Sequence, residues 1–248
     1  MTQKIFAYCE RGLDPTYWAE PINAITNLAF IIAAFFAYRL YQSERGLLAG
    51  AWEGVLIAIV FVIGVGSFLF HTHAEPWAAA ADTIPIGIFM VTYLAYALRR
   101  YLRWDWINVF VALVGFFGLL AVSSMVRCNG GACFNGSAAY FPALAALLII
   151  GGVLVMRGHG AGGYVLSAGL IFAVSLTFRT LDRELCPDTI LTGSLAGSLV
   201  GAEGPLGTHF LWHILNATLL YLLLRGALLY GPTLAPDVPP RKSAFDAV

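Results

Sequence analysis

The chain has 248 residues, 59% of them hydrophobic and only 11% charged. Soluble domains carry about 25% charged residues, so an ordinary soluble enzyme is excluded, as is a disordered chain, which needs low hydrophobicity and high charge. Lys plus Arg (14) equals Asp plus Glu (14), which leaves no electrostatic footprint for nucleic acid, and the mean hydropathy of +0.78 points to an all-α, polytopic membrane protein.

The first 21 residues include Lys4, Glu10, Arg11, Asp14 and Glu20. They lack the basic start, apolar middle and small-residue cleavage site of a signal peptide, so the first span is expected to act as its own insertion signal. A helix needs about 20 mostly apolar residues to cross a bilayer. Seven stretches approach this, near 22–43, 54–73, 83–98, 106–125, 138–156, 164–180 and 208–230. Runs such as 56–65 and 109–122 are apolar on every face, whereas a β-barrel strand would alternate. The sixth connection contains a Gly- and Ser-rich apolar stretch, 190–202. It is too short to cross and is expected to form a lid or re-entrant segment, an eighth span being the alternative. Residues 1–230 are expected to form one seven-span domain, and 231–248, with four prolines, a disordered cytoplasmic tail.

Seven spans put the amino terminus on the same side as the even connections. That side holds five cations (Lys4, Arg11, Arg127, Arg179, Arg183) and the other side nine. Cations concentrate in cytoplasmic loops, so the expected orientation is N-out, C-in. All four cysteines then fall outside, where disulfides persist. Cys128 and Cys133 flank a Gly-rich turn and could bridge within one loop, leaving Cys9 and Cys186 to tie the amino terminus to the sixth connection; free thiols are the alternative.

Ionisable groups are costly in hydrocarbon and mark function. His71 lies near the outer end of span two, and His209 and His213 in the first turns of span seven. The i, i+4 spacing of THFLWH stacks two imidazoles on one helical face. With His71 at matched depth, three histidines could hold zinc and leave a fourth position open to water; a histidine pair satisfied by hydrogen bonds is the alternative. His73 points to another face and reads as interfacial, and His159 as a solvated loop histidine. Ser67, four residues before His71, shares its face and could donate to a substrate carbonyl or bond its own helix backbone. Asp82, in AAADTIPIG, reads as a helix N-cap, as a general base beside a metal, or as both. Asn23, Asn27 and Asn216 are expected to hydrogen-bond between helices. Trp18, Trp77 and Trp104 fit an aromatic belt, and Trp212 a core or pocket wall.

These residues, in this order, resemble the alkaline ceramidase family, part of a wider group of seven-span hydrolases and the related adiponectin and progestin receptors. The matching segments are Cys9-Glu10, the stretch from Trp18 to Leu28 (WAEPINAITNL), Gly64 to His71 (GVGSFLFH), Asp82, and Gly207 to Leu215 (GTHFLWHIL). The SxxxH, the spaced Asp and the late HxxxH are shared across the group, while the CE pair and the AE-x-x-N-x-x-T-N-L stretch are more particular to ceramidases. The middle spans match only in hydropathy. The resemblance implies zinc on His71, His209 and His213, catalytic assistance from Ser67 and Asp82, and a Cys9–Cys186 disulfide.

It also implies a calcium site at the amino terminus, where the match is incomplete. Glu10 and Glu20 align with acidic ligands of that site. Ala7 stands where the family has Asp and Gly12 where it has Asn, and the loop to Glu20 is one residue shorter. Asp14 could compensate, because calcium accepts six to eight oxygens in flexible geometry. The implied activity is zinc-dependent hydrolysis of ceramide to a sphingoid base and a fatty acid, with a membrane lipid as the only expected partner. The alternatives are a hydrolase of another lipid amide or ester, a non-catalytic receptor-like protein with the same zinc core, and a transporter, against which the clustering of polar groups at one depth speaks. The Ala- and Gly-rich composition points to a bacterial plasma membrane; the eukaryotic counterpart would be the endoplasmic reticulum or Golgi.

Overall fold

The computed structural model describes residues 3–44, 50–128, 131–186 and 205–231. The expected lid, 190–202, and the tail beyond 231 lie outside these. The described chain is a helix bundle with seven helices long and apolar enough to cross a membrane.

The first span is broken. Helix α1 (Pro21–Thr26) and α2 (Leu28–Glu44) meet at Asn27. There the Thr26 hydroxyl turns back to the carbonyls of Ile22 (2.8 Å) and Asn23 (3.1 Å), and the Asn27 amide to that of Asn23 (2.8 Å). Side chains that compete for helix carbonyls in this way bend helices, and hydropathy does not register it. Helix α3 (Ala51–His73) ends on Ala74, whose φ of 49° is left-handed. Helix α4 (Pro76–Tyr96) starts on a proline, a favoured first helical residue, seven residues before the expected boundary at 83. Asp82 therefore sits inside α4 and is not its N-cap. A π turn, Ala97–Tyr101, follows.

Helix α5 (Trp106–Met125) is capped by Asp105, which accepts from the backbone N–H of Ile107 and Asn108 at 2.9 and 3.0 Å. Only Val109 and Phe116 of α5 are buried, so it lies at the margin of the bundle. A two-residue antiparallel ladder pairs Arg127 with Ala132 and Cys128 with Gly131, and a 3-10 stretch, Cys133–Tyr140, leads into α6 (Phe141–Met156). Helix α7 (Gly162–Leu181) and α8 (His209–Tyr230) complete the bundle.

Helix α8 packs against α2 and α7, and α3 against α2 and α4. At Gly66 the approach of α3 to α4 is so close that a Cβ would lie 2.0 Å from the Ala81 carbonyl oxygen. Because the spans alternate, the amino-terminal segment shares one end of the bundle with the end of α3 and the starts of α4, α6 and α8. Both bridges, Cys9–Cys186 and Cys128–Cys133, are at that end, and no described cysteine is free.

Candidate metal centre

His71 occupies the last turn of α3, and His209 and His213 the first turns of α8. One ring nitrogen of each lies within 4.8 Å of the others, and all three rings are buried. These are the only His, Cys, Asp or Glu side chains among the described residues that gather three or more donor atoms in this way.

Hydrogen bonding decides which nitrogens face inward. Nδ1 of His71 meets the Glu20 carboxylate at 2.6 Å, and Nδ1 of His213 meets the Thr26 hydroxyl at 2.9 Å. Thr26 directs its own proton at a backbone carbonyl, so its oxygen accepts from His213 Nδ1–H. Nε2 of both rings is then left with a lone pair and no partner, as is Nδ1 of His209. Buried polar atoms are almost always partnered. Three orphaned nitrogens facing one another fit a metal ion, and an outer partner that fixes the ring tautomer, as Glu20 does, is the usual companion of a metal-binding histidine. The expectation of three histidines at one depth agrees with this geometry.

The surroundings hold the triad in place. Tyr8 stacks on the His209 ring at a centroid distance of 3.6 Å. Asp182, just beyond α7, accepts from the backbone N–H of Cys9 (2.9 Å), Thr208 (2.8 Å) and His209 (2.9 Å). One carboxylate thus joins the amino-terminal segment, α7 and the start of α8. Gly207 lies beside it with φ of 68°, and a Cβ there would come within 2.2 Å of Asp182 Oδ1 and 2.6 Å of Cys9 Cβ.

Ser67 and Asp82 are both buried, brought together by the contact at Gly66. The Ser67 hydroxyl lies against the Asp82 carboxylate, which in turn faces His71. An apolar cavity lies about one helical turn deeper: Ile63 and Ile86, four residues from Ser67 and Asp82, line it together with Phe30, Tyr140, Phe172 and Trp212, and the Asn216 amide is at its side. Trp212 is thus the pocket wall the sequence suggested, and Phe30 stands 6.4 Å from the His213 ring.

The acids expected to hold calcium do not converge. Glu10 uses both oxygens on the backbone N–H of Ile22 (2.7 Å) and Asn23 (2.8 Å) at the start of α1. Glu20 is divided between Arg11 (2.5 Å) and His71. Asp14 is solvent-facing and accepts from Thr16 in its own turn at 2.8 Å. Burial pushes the Glu10 carboxyl up to about 7. Burial also opposes charge on Glu20, but His71 and Arg11 outweigh it and hold that carboxyl below its ordinary value.

His73 packs between Tyr17 and Trp77, in keeping with an interfacial place. His159 is half-buried rather than solvated: its Nδ1 accepts from the Ala161 N–H at 3.1 Å and its ring rests on Tyr101. Of the three asparagine side chains only that of Asn216 bonds across helices, to Ser175 at 2.8 Å; the described side-chain hydrogen bonds of Asn23 and Asn27 stay within their own segment. Sequence reasoning missed Arg11, Thr26, Tyr8 and Asp182 as parts of the site. Arg11 and Asp182 act mainly on backbone groups, which leave no mark in a sequence, and Tyr8 and Thr26 act on histidines about 190–200 residues away in the chain.

The family model described as Ceramidase matches residues 5–230. Among curated proteins no match was found.

Proposed function

The chain belongs to the ceramidase family, a multi-pass membrane hydrolase acting on amides, and from that premise we propose that it is a zinc-dependent amidase that cleaves ceramide to a sphingoid base and a fatty acid. The observation that carries the reading is the set of three orphaned, buried ring nitrogens on His71, His209 and His213, beside Ser67 and Asp82 and about one helical turn from an apolar cavity. Zinc bound there would supply Lewis acidity to the amide carbonyl and lower the pKa of a water to about 7.

Asp82 takes the proton of the attacking water and delivers it to the leaving amine. As Asp82 takes up the water proton it releases the Ser67 hydroxyl, which turns to hydrogen-bond the oxyanion that develops on the amide oxygen, a contribution of about 3 kcal/mol for a well-placed donor. Glu20 and Thr26 hold the His71 and His213 rings in the tautomers that turn Nε2 inward. The cavity receives the acyl chain, which enters sideways from the bilayer, and its apolar wall keeps bulk water from the amide. The cation count and the two disulfides support an orientation in which this end faces outward.

Fluorescent ceramide turnover by the purified protein, with and without a zinc chelator, tests the mechanism. Chelation should abolish turnover and restored zinc recover it; Asp82→Asn should lower kcat by about 10²–10⁴-fold, the range for a general acid–base group. Turnover that survives zinc removal discards the mechanism. Asn216 is the main polar side chain on the cavity wall, so little there selects a head group. A related lipid amide or ester is the second reading, which turnover of ceramide against N-acyl amino-acid lipids and N-acyl ethanolamines separates.

A further inference from the structure

Arg11 is wholly buried, and its guanidinium has five N–H donors. Each finds an oxygen. Nε bonds Glu20 Oε1 at 2.5 Å. Nη1 bonds the carbonyls of Asp14 (3.1 Å) and Thr16 (2.8 Å), and Nη2 those of His71 (2.9 Å) and Thr72 (3.4 Å). Five oxygens from three stretches of chain (the amino-terminal loop, Glu20 and the end of α3) therefore point at one positive group. Four of them are backbone carbonyls. Such a shell, one carboxylate with several carbonyls, is what a hard divalent cation takes when it binds protein oxygens.

We propose that the Arg11 guanidinium fills, as a built-in cation, the oxygen-lined seat that calcium would otherwise occupy, so that the amino-terminal segment docks on the bundle and Glu20 is held toward His71 without calcium. The charge balance agrees. The single carboxylate in the shell is neutralised by Arg11. The other acids are engaged elsewhere, Glu10 on the start of α1 and Asp14 in its own turn. A dication added here would meet a guanidinium across a low-dielectric interior, where like charges repel strongly. Arg11 is thus a positioning residue. It touches no substrate and acts through Glu20, whose second oxygen meets His71 Nδ1 at 2.6 Å.

The test reads calcium directly, so it stays decisive even if the amidase reading fails. Purified full-length protein is equilibrated with millimolar calcium, washed, and analysed for metal content; thermal unfolding is followed in calcium and in EGTA. The expected result is no stoichiometric calcium and the same Tm in both. One calcium per chain, or a Tm that falls in EGTA, overturns the proposal. Arg11→Ala empties the seat, and calcium should then raise its Tm by several degrees while leaving the wild type unmoved. An Arg11→Ala protein that folds yet ignores calcium also overturns it, because the oxygens would then not be a cation seat. If that variant does not fold, the wild-type comparison decides alone.

Discussion

Glu10 shows how a single side chain couples this end of the bundle to pH. Its carboxyl accepts two backbone N–H groups at the start of α1, yet burial dominates and moves it from an ordinary 4.5 to about 7. Between those two values the unfolded chain has released the proton and the folded chain still holds it. The unfolded state then binds fewer protons, so stability falls as pH rises through this window and levels off above about 7. The loss is at most ~3.5 kcal/mol, because each pH unit between the two values is worth ~1.4 kcal/mol. Thermal unfolding from pH 4 to 8, compared between wild type and Glu10→Gln, should show the downward slope in the first and a flatter curve in the second; parallel curves would remove Glu10 as its source.

At the scale of elements, the α3–α4 contact decides whether Ser67 and Asp82 meet. Gly66→Ala drives a methyl to within 2.0 Å of a backbone oxygen of α4, which neither helix can relieve by a rotamer change. Overpacking of this kind costs about 1–3 kcal/mol or more. Gly66→Ala should lower Tm in detergent and reduce turnover together. Gly87→Ala on α4, with nothing within 4 Å of the added Cβ, should be neutral or slightly stabilising and serves as control. The seven apolar stretches were legible because hydropathy reports burial in lipid directly, and His209 with His213 because i, i+4 spacing reports a helical face. The start of α4 was not: four alanines after Trp77 form helix well but add little hydropathy. The break at Asn27 and the clamps at Arg11 and Asp182 were hidden for a different reason. All three work by satisfying backbone amides and carbonyls, and a backbone group looks the same at every position.

Across the whole molecule, the Cys9–Cys186 bridge joins positions 177 residues apart, and Asp182 reinforces the same junction. A cross-link over so long a loop restricts the unfolded chain far more than one over five residues, the spacing of Cys128 and Cys133. Cys9→Ser should therefore lower stability by roughly 2–4 kcal/mol, and Cys128→Ser by less, as read by Tm with and without reductant. Alkylation before and after reduction, on protein taken directly from membranes, should find all four cysteines oxidised; free thiols would instead place this end of the bundle on the cytoplasmic side.

The division of the three imidazoles between α3 and α8 also sets an order of events during synthesis. Arg11, Glu20 and His71 all leave the ribosome early, so the collar around His71 can assemble while most of the protein has yet to be made. His209 and His213 emerge only with the final span. On the proposed metal reading, an ion held by all three imidazoles is captured only after translation is nearly complete, and a nascent chain stopped short of α8 would thread six spans into the bilayer with the site unfinished.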